Sequence, residues 1–204
     1  MSSAVVAQLA AAAFSVVGAA GATGAAGAAG AANSAVGRNA VSLEARRQLL
    51  SNSGDYGWTY HNISTEASGA ESVFAIDLDG DGDVDVTSAE RGNNAIIWYE
   101  NVDGSAGSWT SHVIASGLDD VSAVYAIDVD GDGDIDVLSA TKTDDTVAWY
   151  ENNDSSGTSW AKHVITSSAD EAIEVFAIDV DGDGDVDVLS ASRTDDTVAW
   201  YVCL

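Results

Sequence analysis

From Trp58 onward the chain alternates short runs of Val, Ile, Trp, Tyr and Phe with runs of Asp, Gly, Ser and Asn. The apolar runs are rich in β-branched and aromatic residues and stop at turn formers, which is the pattern of strands. In the first stretch they fall at about 58–63, 72–78, 84–90 and 95–100. The second run (Val73, Phe74, Ala75, Ile76) is apolar on both faces, so it predicts a strand buried from both sides. Helical periodicity is absent from this part of the chain.

The same pattern returns twice more. Trp58, Trp109 and Trp160 each stand three residues before a histidine, His61, His112 and His163. Phe74, Tyr125 and Phe176 then open an apolar strand, and each unit closes on a Trp-Tyr pair: Trp98–Tyr99, Trp149–Tyr150 and Trp200–Tyr201. Four short strands recurring near every 50 residues are the signature of propeller blades, in which neighbouring sheets cover each other's faces. The expected fold is all-β: three consecutive four-stranded antiparallel blades of a partial β-propeller, preceded by a flexible Ala/Gly-rich leader. The expected boundaries are a leader and linker over 1–54 and repeats over 55–204, divided at about 58–108, 109–159 and 160–204.

Residues 1–37 are nearly all Ala, Gly, Val and Ser. The apolar stretch Ala4–Ala20 fits the core of a secretory signal, with small residues at Gly18–Ala20 for cleavage, although no positive segment precedes it. A membrane anchor and an unstructured low-complexity leader are the other two readings. Val41, Leu43, Leu49 and Leu50 beside Arg46 and Arg47 suggest one short helix over 40–51, and 51–57 reads as linker.

Charge changes the picture. The chain carries 33 acids against 7 bases, a net charge of −26. Such a surface repels a phosphate backbone, which argues against nucleic acid as a partner. Residues 55–204 hold 32 of the acids, and 15 of these sit in three nine-residue loops beginning at 77, 128 and 179, which are 51 residues apart. The loops are Asp77, Asp79, Asp81, Asp83, Asp85; Asp128, Asp130, Asp132, Asp134, Asp136; and Asp179, Asp181, Asp183, Asp185, Asp187. In each, three alternating carboxylates are followed by a glycine at the sixth position (Gly82, Gly133, Gly184), the front half of a calcium loop. The seventh position would offer its backbone carbonyl and the ninth a last carboxylate. An EF-hand needs Glu at the twelfth position, where this chain has Ser88, Ser139 and Ser190, so a strand–loop–strand site is expected instead. All-oxygen donors select Ca²⁺ over Zn²⁺, and Mg²⁺ holds its water too tightly for such a cage. The expected cofactor is therefore calcium, up to three ions, one per loop.

The pattern V-F-A-I-D-x-D-G-D-G-D-x-D-V, followed by W-Y-E-N, resembles the FG-GAP family, also described as VCBS-type repeats. That family includes the blades of integrin alpha-chain propellers. The resemblance covers 58–204. It implies that each Asp loop joins two strands of one blade. Family members in many cases build seven blades, so three units leave open a fragment, an open stack, or part of an assembly.

Other recurring residues carry less. The histidines have no second His or Cys nearby and read as core or strand-pairing residues. The tryptophans read as packing residues, with a sugar platform as the rival. Arg91, Lys142 and Arg193 share one repeat position and read as ion-pairing with nearby acids such as Glu90, Asp144 and Asp195; a row of cations facing an anionic ligand is the alternative. The T-D-D-T stretches (143–146, 194–197) read as turns. Asn62 and Asn153 head glycosylation sequons, and Asn153 has the better loop setting. Cys203 is the only cysteine, so no intrachain disulfide forms. No catalytic motif is legible. The reading that follows is a non-enzymatic, calcium-binding module outside the cell or on its surface, engaging a protein or glycan, with self-association or further blades completing a propeller. The alternatives are an accessory part of a calcium-dependent propeller enzyme, such as a polysaccharide lyase, and a structural spacer.

Overall fold

The computed structural model describes residues 57–204; the expected leader, its signal or anchor stretch and the helix over 40–51 lie outside the described residues. Three antiparallel sheets follow one another along the chain. The first pairs β1 (Ala70–Ile76), β2 (Asp85–Glu90), β3 (Ala95–Asn101) and β4 (Trp109–Ser116) in sequence order. The second pairs β5 (Val121–Ile127), β6 (Asp136–Thr141), β7 (Thr146–Asn152) and β8 (Trp160–Thr166) in the same way. The third has three strands, β9 (Ala172–Ile178), β10 (Asp187–Ser192) and β11 (Thr197–Tyr201). The all-β, bladed expectation holds, and β1, β2 and β3 lie within two residues of their expected positions.

The phase of the blades differs from the expected one. The Trp-x-x-His segment, placed first in each unit from the sequence, is the last strand of the preceding sheet. β4 pairs with β3, setting Trp98 opposite His112, and β8 pairs with β7, setting Trp149 opposite His163. The reason is local. A hairpin of seven residues joins the two strands, closed by hydrogen bonds from the Val102 amide to the Ser108 carbonyl and from Asn153 to Ser159. The corresponding segment 58–63 has no strand before it to pair with among the described residues and is not a strand.

Adjacent sheets meet through their first strands, β1 on β5 and β5 on β9. Phe74, Tyr125 and Phe176 form a ladder along this line, with ring centroids 4.6 Å apart at both steps. Tilted aromatic pairs at this spacing contribute beyond their buried area. Two apolar clusters fill the spaces between sheets. Leu78, Ile96, Trp98, Val121, Val124 and Val137 lie between the first and second. Leu138, Val147, Val175 and Val188 lie between the second and third. Each fully buried Val, Leu or Ile contributes about 1.5–3 kcal/mol, so these clusters are the main stabilising term.

Among the described residues, only the middle sheet has a neighbour on both sides. Val124 of β5 is buried as the sequence predicted, but its counterpart Val73 in β1 is exposed. The both-faces burial expected of Val73–Ile76 therefore fails in the first sheet, because no further sheet among the described residues covers that side.

Two kinds of turn need a left-handed backbone. Asn94, Asp145 and Asp196 sit at φ 51°, 50° and 54° in equivalent turns after β2, β6 and β10. Asn and Asp tolerate this conformation better than other side chains, as the T-D-D-T reading anticipated. Gly157, at φ +65°, tips the β7–β8 hairpin over the first sheet; a Cβ there would lie 2.8 Å from Leu78 and 2.9 Å from Trp98.

Candidate metal centre

Each Asp loop connects the first and second strands of its sheet. The chain must reverse within eight residues, and Gly80 and Gly82 take φ +74° and +97° to do so. This puts the carboxylates of positions one, three and nine together. Asp77, Asp79 and Asp85 each offer an oxygen within 4.8 Å of the others. Asp128, Asp130 and Asp136 do the same, as do Asp179, Asp181 and Asp187. The spacing is that of ligands around one hard cation. Enclosure falls along the chain: Asp77 and Asp79 are half-buried, whereas Asp179 and Asp181 are exposed.

Backbone amides hold the carboxylates in place. Gly82 N–H donates to Asp77 Oδ2 at 3.0 Å, and Asp81 N–H donates to Asp79 Oδ1 at 3.2 Å. Position nine is the most deeply fixed. Asp85 accepts from the amides of Leu78 at 3.0 Å and Asn101 at 2.8 Å, one on each oxygen. Asp136 repeats this with Val129 and Asn152, and Asp187 with Val180 and Cys203. This buried aspartate ties the loop's start to the end of the third strand. An ionised carboxylate has about four acceptor sites, so two amides leave capacity for a metal.

Positions five and seven go elsewhere. Asp81, Asp132 and Asp183 accept the amides of Asp83, Asp134 and Asp185. Asp83 lies against Gly104, and Asp134 accepts the Ser155 hydroxyl at 2.8 Å. Nine of the fifteen expected ligands are thus gathered into trios, and these six are not part of them.

The electrostatics show what the trios lack. Desolvation raises the Asp85 carboxyl against the lowering effect of its two amides, and neighbouring Asp81 and Asp77 raise it further. Desolvation likewise pushes Asp136 up to about 6. Asp79, Asp130 and Asp181 are raised for the same leading reason, reinforced by like charges. At Asp187 desolvation also acts upward, but the Cys203 and Val180 amides outweigh it and the carboxyl is lowered.

The donor set fits a hard cation. Every candidate ligand atom is a carboxylate oxygen, and Asp77 Oδ1 is buried with no hydrogen-bond partner. The first loop also borders a cleft of about 410 Å³ shared with the second, lined by Asp77, Asp79, Gly133 and Asp134.

A family model described as an FG-GAP-like repeat matches residues 77–139 and 128–190, each match running from one Asp loop through the next. The chain belongs to the FG-GAP-like repeat family. A comparison with curated proteins gave no match.

Each complete FG-GAP-like blade contains a residue that the sequence reading passed over. Asn101 and Asn152, the last residues of W-Y-E-N, are buried at the ends of β3 and β7. Their amide nitrogens donate to the carbonyls of Val84 and Ile135, just before the position-nine aspartates. Their oxygens accept from Ala106 and Gly157 in the following hairpins. The repeated motif was the available signal.

The remaining expected residues are accounted for by pairing. His112 and His163 contact Glu100 and Glu151 at 2.8 and 2.7 Å and stack on Trp98 and Trp149 at 4.5 Å. These are strand-pairing histidines. Arg91 pairs with Glu71 and Asp120, Lys142 with Glu71, and Arg193 with Glu171. The acids expected as partners, Glu90, Asp144 and Asp195, are not the ones used. Glu90 instead turns inward to accept the Tyr99 hydroxyl at 2.5 Å, which with burial pushes that phenol up to about 12. Glu71 bridges Arg91 of the first sheet and Lys142 of the second, so one acid links two blades.

Proposed function

We propose that the chain is a calcium-loaded, β-propeller-type binding module of the extracellular space, with one ion in each Asp trio and a protein or glycan as its partner. The observation that carries the metal is the threefold recurrence of the Asp77–Asp79–Asp85 arrangement, oxygens within 4.8 Å and one buried oxygen without a partner. Millimolar calcium outside the cell suits open carboxylate sites of this kind. The role is binding, not catalysis. The loops act as fasteners that hold the blade surfaces, and the partner is recognised on those surfaces. Family membership and the concentration of acids in the loops support this reading.

The metal is tested by melting. Two carboxylates 4.8 Å apart repel by roughly 3 kcal/mol at an effective dielectric near 20 and by about 1 kcal/mol in water. A cation that relieves a few such pairs in each of three loops raises the melting temperature by about 10 °C or more. EDTA should lower it by that amount and calcium should restore it. A melting curve indifferent to both would sink the proposal. A glycan array with and without calcium then separates sugar from protein as partner.

A further inference from the structure

One hairpin reaches from the second blade to the metal loop of the first. It joins β7 to β8 and is closed by the Asn153–Ser159 hydrogen bond. Its root is Asn152. The Asn152 N–H donates to the position-nine carboxylate of Asp136 at 2.9 Å, and its side-chain nitrogen donates to the Ile135 carbonyl at 3.3 Å. Within the hairpin, Gly157 is fixed from two sides. Its N–H donates to Asn152 Oδ1 at 3.3 Å, and its carbonyl accepts from the Trp160 indole at 2.8 Å. Gly157 closes directly on Leu78 and Trp98 of the first blade. Leu78 stands between the trio members Asp77 and Asp79, and its own N–H donates to the first blade's position-nine carboxylate, Asp85, at 3.0 Å. A continuous line of contacts therefore runs from Asp136 through Asn152, Gly157 and Leu78 to Asp85.

On the reading that calcium fills each trio, we propose that the first and second sites bind it cooperatively, with Leu78 and the hairpin over 153–159 as the coupling element. An ion in the second trio fixes Asp136 and, through Asn152, fixes the hairpin against Leu78. Leu78 is 1% exposed, so its side chain cannot leave that contact without opening the seam between the blades. Its backbone then holds Asp85 where the first trio needs it. Each ion orders part of the frame that the other requires, so the second to bind meets a smaller entropic cost. The Ser155 hydroxyl donates to Asp134 at 2.8 Å and ties the same hairpin to the second loop again. Repulsion between the two ions acts the other way. Both loops, however, line one cleft through the exposed Gly80 and Gly133, where salt screens charge over about 8 Å.

The test is a calcium titration of the full chain followed by NMR. The Gly82 and Gly133 N–H groups donate to Asp77 and Asp128, one member of each trio, so their amide signals report the two sites separately. Asp128→Ala, which vacates the second site, should weaken calcium binding at the first about tenfold. Asp77→Ala should weaken the second by the same factor, because coupling between binding sites is reciprocal. Leu78→Val keeps the backbone N–H and shortens the side chain. It should cut both factors to about threefold or less while both sites still fill. Ser156→Ala, exposed on the same hairpin, should leave both factors unchanged. Factors below about twofold, factors that differ from each other, or full coupling in Leu78→Val overturn the proposal. Glycine signals indifferent to calcium overturn the calcium reading itself, and the coupling with it.

Discussion

Gly157 offers a direct measure of how tightly one blade grips the next. It sits at φ +65° with Leu78 and Trp98 closing over the place where a Cβ would be, at 2.8 and 2.9 Å. Both neighbours are almost wholly buried, so neither can swing into solvent. Gly157→Ala meets two costs. The left-handed backbone disfavours a side chain by about 1–2 kcal/mol. Forcing a methyl into a filled space adds roughly 1–3 kcal/mol, against about 0.4–1 kcal/mol recovered from the stiffer unfolded chain. The net loss is about 2–4 kcal/mol, or roughly 5–12 °C in melting temperature for a unit of this size. The repeat supplies its own control. Ala106 occupies the same position one hairpin earlier at φ +59°, and it is exposed. Ala106→Gly should shift the melting temperature by no more than about 2 °C. Differential scanning calorimetry in excess calcium reads both. A Gly157→Ala protein melting within about 1 °C of the original would refute the packing argument.

Three further outcomes follow from the same geometry. In metal-free protein, Asp136 has a folded pKa of about 6, above its unfolded value of 3.8, so its protonated form favours the fold. That stability is present below about pH 4 and lost as pH rises through 6, amounting to about 1–2 kcal/mol after allowance for solvent screening; Asp136→Asn should flatten the slope of urea midpoints between pH 4 and 7, and equal slopes would refute this. Tyr125→Ala, in the middle of the aromatic ladder, should cost about 3–5 kcal/mol by urea denaturation, and Phe176→Ala, half-exposed at the end, about 1–2 kcal/mol; equal losses would contradict the one-sided burial of the outer sheets. Asp85→Ala should abolish binding at one calcium site by calorimetric titration and lower stability as well, because two amides lose their acceptor, whereas Asp83→Ala should change the affinity less than tenfold; the reverse order would discredit the trio as the ligand set.

Much of this architecture could be read from the chain. The Asp loops, the strands flanking them and the T-D-D-T turns were legible because each depends on residues close in sequence. The blade boundary was not. A pattern with a period of 51 looks the same wherever the first unit is taken to begin, and only strand pairing decides whether Trp109 opens a blade or ends one. The division of the aspartates was hidden for a related reason. Alternation made all five in a loop look alike, but Asp85 turns inward to an amide sixteen residues away, while Asp81 turns to its near neighbour Asp83. The burial of Val124 and the exposure of Val73 follow from how many sheets lie alongside, which no local pattern encodes.

The offset between repeat and sheet means that the unit written in the sequence is not the unit that folds. Each complete blade is woven from two successive repeats, with its outer strand borrowed from the one that follows. Adding or removing a 51-residue unit therefore leaves every internal seam unchanged and moves only the two loose ends. Such a chain can change length by whole repeats without any new interface being invented.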